Sequence, residues 1–345
     1  MTVQPAKRTY RSVTSGSMAM LAIEANTFSG YGGLRQVELP KPQPAKDRVL
    51  VRVAAAGVTP LEYTVLSGGH PRAKAPLVLG DEGTGVIEDA GDSGLAVGSR
   101  VMFTGPYGVN ENGTWQEWLL VRPEHLALVP DAIDNVVAAS VPVAYLTAQV
   151  TLTLAGFKPG MTVLAPGIGG SVGNATYQLA RAQGAGKVIS TAGSAAKAAK
   201  ASELGFEGVV DLSAEGLADG VRRITAGKGA DIVIESIGAA VTSDALSSLG
   251  LGGVLITLGY SAGRKTTIDV TDLIWKRARM AGFSLFAQSP AAIAAAWRDV
   301  IPLIVNGSVK PIVERVYPFG EVGEALRHLI EDRPFGKVVL AGWST

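Results

Sequence analysis

The chain has 345 residues, more than one core of ordinary size accommodates, and its 47% hydrophobic and 18% charged content describes a globular chain rather than a disordered one. A formal net charge of +1 gives no global attraction for nucleic acid or acidic membrane. The absence of cysteine excludes disulfides, thiol catalysis and a thiolate zinc site, and fits a reducing cytoplasm.

Residues 1–17 are polar and basic, without the apolar core of a signal peptide, and read as a loose extension. The stretch up to residue 134 is β-rich. Short valine-rich runs such as DRVLVRVAAAGV (47–58), SRVMFTG (99–105) and TWQEWLLV (114–121) are separated by glycine turns. Residues 136–154 carry no charge and approach the length of a membrane span, but Ser140, Pro142, Tyr145, Thr147, Gln149, Thr151 and Thr153 make a buried helix the better reading. From 135 to 287 short apolar strands alternate with helical patterns. The strands are TVLAP (162–166), KVIST (187–191), GVVDL (208–212), DIVIES (231–236), GVLITLG (253–259) and ARMAGFSLF (278–286), with helices such as Gly173–Gln183 and Ala195–Leu204 between them. This alternation predicts a doubly wound parallel sheet. The mixed pattern returns at 288–345, with helices near Ala291–Val305 and Gly320–Ile330 and a closing strand KVVLAG. Two domains follow: 135–287, and a second built from 1–134 and 288–345.

The first strand of the parallel unit runs into Gly167, Gly169, Gly170 and Gly173, with a helix starting at once. Open amide groups and the positive end of the helix dipole suit a phosphate, and glycine lets the backbone approach it. The strict G-x-G-x-x-G spacing is not met, because Ile168 stands at its second glycine, yet strand, glycine turn and helix follow in the order a dinucleotide pyrophosphate requires. No aspartate or glutamate occurs between Asp134 and Glu203. The carboxylate that would hold a ribose 2′-hydroxyl is missing, while Ser194 and Lys197 stand where a 2′-phosphate would lie. NADP(H) is favoured over NAD(H).

The segments GVTPLEYTVLSGG, PLVLGDEGTGVI, GTWQEWLLV, AYLTAQVTL, FKPGMTVLAPGIGGSVG, STAGSAAKAAKASELGF, ITAGKGADIVIESIG and FGKVVLAG occur in this order. On them the chain resembles the zinc-independent medium-chain dehydrogenases/reductases, in the quinone oxidoreductase branch, over about residues 20–345. The resemblance implies a GroES-like β-rich catalytic domain, interrupted and then completed around a Rossmann domain, and a homodimer through the last Rossmann strand. It implies Thr147 beside the nicotinamide and Gly170, Ser171, Val172 and Gly173 at the pyrophosphate. Thr191, Ser194 and Lys197 would lie at the 2′-phosphate, and Ser236, Ile237 and Gly238 near the ribose. Leu258, Gly259 and Tyr260 would flank the nicotinamide, with Lys337 reaching in from the catalytic domain. Zinc-dependent cousins place cysteine and histidine ligands where this chain has Thr59 and Asp81. No metal is expected, and Glu62 and Glu82 read as acids that position the loop and the sheet edge.

Where the family commonly reads GVNPVD this chain has Thr59 and Glu62, so the substrate-facing groups differ. Hydride transfer without metal suits a quinone or an α,β-unsaturated carbonyl, whose developing negative charge needs only hydrogen-bond donors. Thr59 and Tyr63 are the candidate donors, with Tyr63, His70 or solvent supplying the proton. His125 and His328 read as unpartnered surface or helix residues. An enoyl-thioester reductase and an NADPH-binding structural or regulatory protein with little turnover are the competing readings.

Overall fold

The computed structural model describes residues 18–343; the reading of residues 1–17 as an extension lies outside them. Six parallel strands form one sheet in the order Val209–Asp211, Lys187–Ala192, Thr162–Ala165, Ala230–Glu235, Leu249–Thr257, Arg279–Gly282. Counted along the chain from Thr162 this is the order 3-2-1-4-5-6, which reverses beside Thr162–Ala165 and opens a ligand crevice there.

The strands read as continuous apolar runs because both faces are covered. Val163, Ile232, Ile234, Val254 and Ile256 share one core with the helices Pro142–Leu154, Ser171–Ala182 and Pro290–Val305. Their neighbours Leu164, Ile189, Val210, Val233 and Leu255 share another with the helices Leu217–Ile224 and Ala240–Ser247, as the two-residue strand period dictates. The helix Pro290–Val305, read from the sequence as part of the returning lobe, thus packs on the parallel sheet through Trp297 and Val300. The strand expected over 278–286 is confined to Arg279–Gly282, after which the chain turns through Leu285–Ala287.

The uncharged stretch 136–154 forms most of the helices Asn135–Ala139 and Pro142–Leu154. The second is buried nearly all round, as an evenly apolar helix must be. It packs against Met102, Val129 and Ile133 of the first lobe and so forms the seam between lobes. Among the described residues no helix is long and apolar enough to cross a membrane.

The first lobe holds a seven-stranded sheet. Its path runs Val313–Tyr317, Lys337–Ala341, Val49–Val58, Glu82–Asp89, Arg100–Thr104, Leu126–Leu128, with Trp118–Val121 also paired to Val49–Val58. A smaller sheet joins Leu34–Pro40, Ala19–Ala25 and Leu77–Val78. Two registers matter for the site. Val338 lies opposite Val58, and Gly83 lies opposite Ala56. Lys337, Thr59 and Glu82, distant in sequence, are therefore delivered to one place.

Candidate active site

The glycine turn follows the strand at the switch point. Gly167 takes φ 83°, in the left-handed region. Its amide donates to the Thr191 hydroxyl at 2.9 Å, and the Ile168 amide donates to the Thr191 carbonyl at 2.9 Å. Gly173 is needed for close approach, because a Cβ there would lie 2.4 Å from the Gly167 carbonyl oxygen and 2.6 Å from that of Pro166. Ile168 explains the irregular motif: it is fully buried and packs with Tyr177, Ala192 and Ala201, anchoring the turn from beneath. The helix Ser171–Ala182 begins at Gly170 with no side chain capping it, which leaves its first amides open for a phosphate. The returning chain lies across this turn, with the Gly336 amide donating to the Gly169 carbonyl at 2.9 Å.

The next strand ends at Ala192, and Ser194 caps the helix Ala195–Glu203 by accepting from the Lys197 amide at 3.3 Å. The Lys197 ammonium donates to the Arg333 carbonyl at 2.6 Å. Burial, and then the charge of Arg333, lower the Lys197 pKa. Arg333 itself sits in the left-handed region at φ 50°. Among the described residues neither cation is paired with a carboxylate. Sequence reasoning missed Arg333, because no local signal links it to Lys197; topology brings the two together.

Beyond the switch point, Ser236, Ile237 and Gly238 end the strand Ala230–Glu235. The Ile237 side chain reaches over the glycine turn, within 3.1 Å of where a Gly167 Cβ would stand. The fully buried Glu235 organises this corner: it accepts from the Gly238 amide at 2.7 Å and from the hydroxyls of Thr242 at 2.8 Å and Thr257 at 3.2 Å. It ends the apolar run DIVIE, a buried acid at the carboxyl end of a strand. Gly259 lies so close that a Cβ would meet the Ser236 carbonyl oxygen at 2.0 Å. Leu258, Gly259 and Tyr260 line a cleft of about 680 Å³ that Gly69, His70 and Pro71 of the first lobe also border. Thr147 is buried in the seam helix.

The three catalytic candidates are not together. Thr59 is buried and donates its hydroxyl to Glu62 Oε2 at 2.6 Å, to which the Thr59 amide also donates at 2.6 Å. The same hydroxyl stands 3.3 Å and 3.4 Å from the two Asp81 oxygens. Glu82 and Lys337 form a buried ion pair, and Glu82 Oε2 accepts from the Val143 amide at 2.7 Å. Burial raises the Asp81 pKa well above the ordinary carboxylate value, reinforced by the charges of Glu62 and Glu82. Burial also raises that of Glu62, opposed by its bonds to Thr59. Tyr63 instead packs against Tyr31, ring centroids 5.2 Å apart and planes tilted by 34°, with Arg327 over the far ring. His70 lies on the cleft, its pKa lowered by burial and by Arg72.

The donor set does not fit zinc. Thr59, Glu62, Asp81 and Glu82 offer oxygen only, with the Lys337 ammonium among them, and no metal-holding group occurs among the described residues. The glycine turn and the cation pair do fit a dinucleotide phosphate. Two histidines need correction. His125 meets the Tyr107 hydroxyl at 2.8 Å, and His328 bridges Glu314 and Asp332 at 2.8 Å and 2.7 Å, so neither lacks a partner.

Residues 45–131 match the alcohol dehydrogenase GroES-like domain, and residues 171–306 match the model described as zinc-binding dehydrogenase. The synaptic vesicle membrane protein VAT-1 homolog of Danio rerio is 30% identical over 342 residues, covering 92% of this chain and 69% of that protein. Human quinone oxidoreductase is 29% identical over 342 residues, covering 95% and 99%. A solved mycobacterial protein complexed with NADPH superposes with a TM-score of 0.84 at 30% identity, covering 93% and 99%.

Proposed function

Because the chain belongs to the medium-chain dehydrogenase/reductase family, in its quinone oxidoreductase-like branch, and is an oxidoreductase that works with a nicotinamide cofactor, we propose that it transfers hydride from NADPH to a quinone or an α,β-unsaturated carbonyl without a metal. One juxtaposition carries the reading: an open helix start behind a glycine turn, next to Lys197 and Arg333, two adjacent cations with no carboxylate. Lys197 is half-buried and Arg333 exposed beside it, so a phosphate placed there would meet both charges.

NADPH, when bound, supplies the hydride. Gly170, Ser171, Val172 and Gly173 hold its pyrophosphate, with Thr191 fixing the turn from the adjacent strand. Lys197 and Arg333 hold the 2′-phosphate, with Ser194 ordering that helix start. Ser236, Ile237 and Gly238 flank the ribose. Thr147, Leu258, Gly259 and Tyr260 bound the nicotinamide, and Lys337 fixes the first lobe against it through Glu82. Among the catalytic candidates, His70 is the one on the cleft and is the proton donor or its relay. Thr59 acts through Glu62, which holds its hydroxyl. Tyr63 supports the loop from its packing against Tyr31.

The protein works in the cytoplasm and pairs as a homodimer along the edge strand Arg279–Gly282. That strand is exposed and is preceded by exposed Val270, Ile274 and Trp275. The decisive experiment follows oxidation of NADPH and NADH with a panel of quinones and enones. Turnover with NADPH well above NADH, unaffected by chelators, is expected. Tight NADPH binding with no turnover on any acceptor would leave the structural or regulatory reading in its place.

A further inference from the structure

Two loops, one from each lobe, meet at the mouth of the cleft. Residues 68–76 read GGHPRAKAP and residues 258–268 read LGYSAGRKTTI. Together they carry Arg72, Lys74, Arg264, Lys265 and His70, and no aspartate or glutamate. In a chain whose 31 basic and 30 acidic residues nearly cancel, this is a local surplus. Some basic side chains elsewhere have acids beside them, as Arg222 has Asp219, Arg223 has Glu215 and Lys276 has Asp272. Of the cations on the two loops, Arg264 and Lys265 line the cleft, and among the described residues neither pairs with a carboxylate.

The loops are also fixed to each other. Arg264 Nη2 donates to the Gly69 carbonyl at 3.3 Å, and its guanidinium carbon lies 5.3 Å from the centre of the Tyr260 ring. Gly69 makes the approach possible, since a Cβ there would stand 2.9 Å from the same nitrogen. One hydrogen bond leaves most of the guanidinium donors free. The cleft lining also holds the apolar side chains Leu258, Met280 and Phe283. These suit the ring or chain of an acceptor, and the two rim cations suit an anionic group on it.

We infer that the acceptor carries an oxyanion, a carboxylate or a phosphate, outside its reducible group, and that Arg264 and Lys265 bind it at the cleft mouth. This rests on the reductase reading above. Interaction with charges at an open rim falls with ionic strength and is strongest for a dianion.

The test uses a matched pair of enones, 4-(4-carboxyphenyl)but-3-en-2-one and its methyl ester, with the para-phosphate analogue as a third arm. The carboxylate should show a kcat/KM about tenfold above that of the ester at low salt, and the advantage should shrink at high salt. A larger advantage for the phosphate identifies a phosphorylated acceptor; equal advantages identify a carboxylate as sufficient. Lys265→Gln should reduce the anion-to-ester ratio by roughly threefold, and Arg264→Gln with Lys265→Gln should bring it close to one. A ratio of one in the parent, or a ratio the double variant leaves intact, overturns the inference. If no arm oxidises NADPH, the reductase reading falls. Equilibrium binding of the same pair to the NADP+-loaded protein still decides the anion site: a preference for the anion that the double variant loses upholds it, and equal binding overturns it.

Discussion

The two polar regions of this molecule are built on opposite plans. Around Thr59, Glu62, Asp81, Glu82 and Lys337 the polar groups are buried, Lys337 pairs with Glu82 and Thr59 bonds to Glu62. Around Lys197, Arg333 and the glycine turn the charges and amides are left open, with no acid opposite. In the first region the groups hold one another in place, which serves stability and placement; in the second, open amides and unpaired cations support the proposal of a bound anion.

The contrast is broken most forcefully at Lys337. Replacing it by methionine leaves Glu82 buried without its counter-charge, and urea unfolding should show a loss of about 3–5 kcal/mol. Adding Glu82→Gln should recover much of this; an unchanged midpoint in Lys337→Met alone would mean the pair is not closed. The open region should respond the other way. Lys197→Ala or Arg333→Ala should each weaken NADPH binding about tenfold, ~1.4 kcal/mol, as read by nucleotide fluorescence titration. Neither should destabilise the nucleotide-free protein, since each relieves a like-charge contact. Lys197→Ala with Ser194→Asp should make NADH the tighter ligand. Loss of nucleotide-free stability without loss of NADPH preference would sink the assignment.

The smallest effect is on pH dependence. Burial and the neighbouring Glu62 and Glu82 raise the Asp81 pKa in the folded state. As pH climbs above the ordinary carboxylate range, the unfolded chain gives up this proton before the folded one does, so the stability this group contributes declines through that window. Asp81→Asn fixes the neutral form. As pH rises above the ordinary carboxylate range, its stability should lack the decline that the parent shows. Parallel curves for the two proteins would return the proton to Glu62.

Much of this was legible in the sequence, and the reasons differ by region. The parallel unit shows each strand as a short apolar run bounded by glycine, and the glycine turn and Lys197 lie inside it, so local pattern was enough. Arg333 could not be found that way, because 136 residues separate it from Lys197. The Glu82 to Lys337 pair depends on the register that sets Val338 opposite Val58. The contact of Tyr63 with Tyr31 is a local matter. A helix turns about 100° per residue, so a side chain following the buried Glu62 faces elsewhere, and here it meets Tyr31. That geometry was available from the spacing alone.

The strand Lys337–Ala341 lies between Val49–Val58 and Val313–Tyr317, and the loop before it crosses the glycine turn through Gly336. During synthesis the first lobe therefore lacks an interior strand until the whole parallel unit has emerged, and domains cannot mature one after another in chain order. The same late segment places Arg333 beside Lys197 and Lys337 in the acid pocket. A ribosome stalled before residue 333 holds a chain with neither cluster finished.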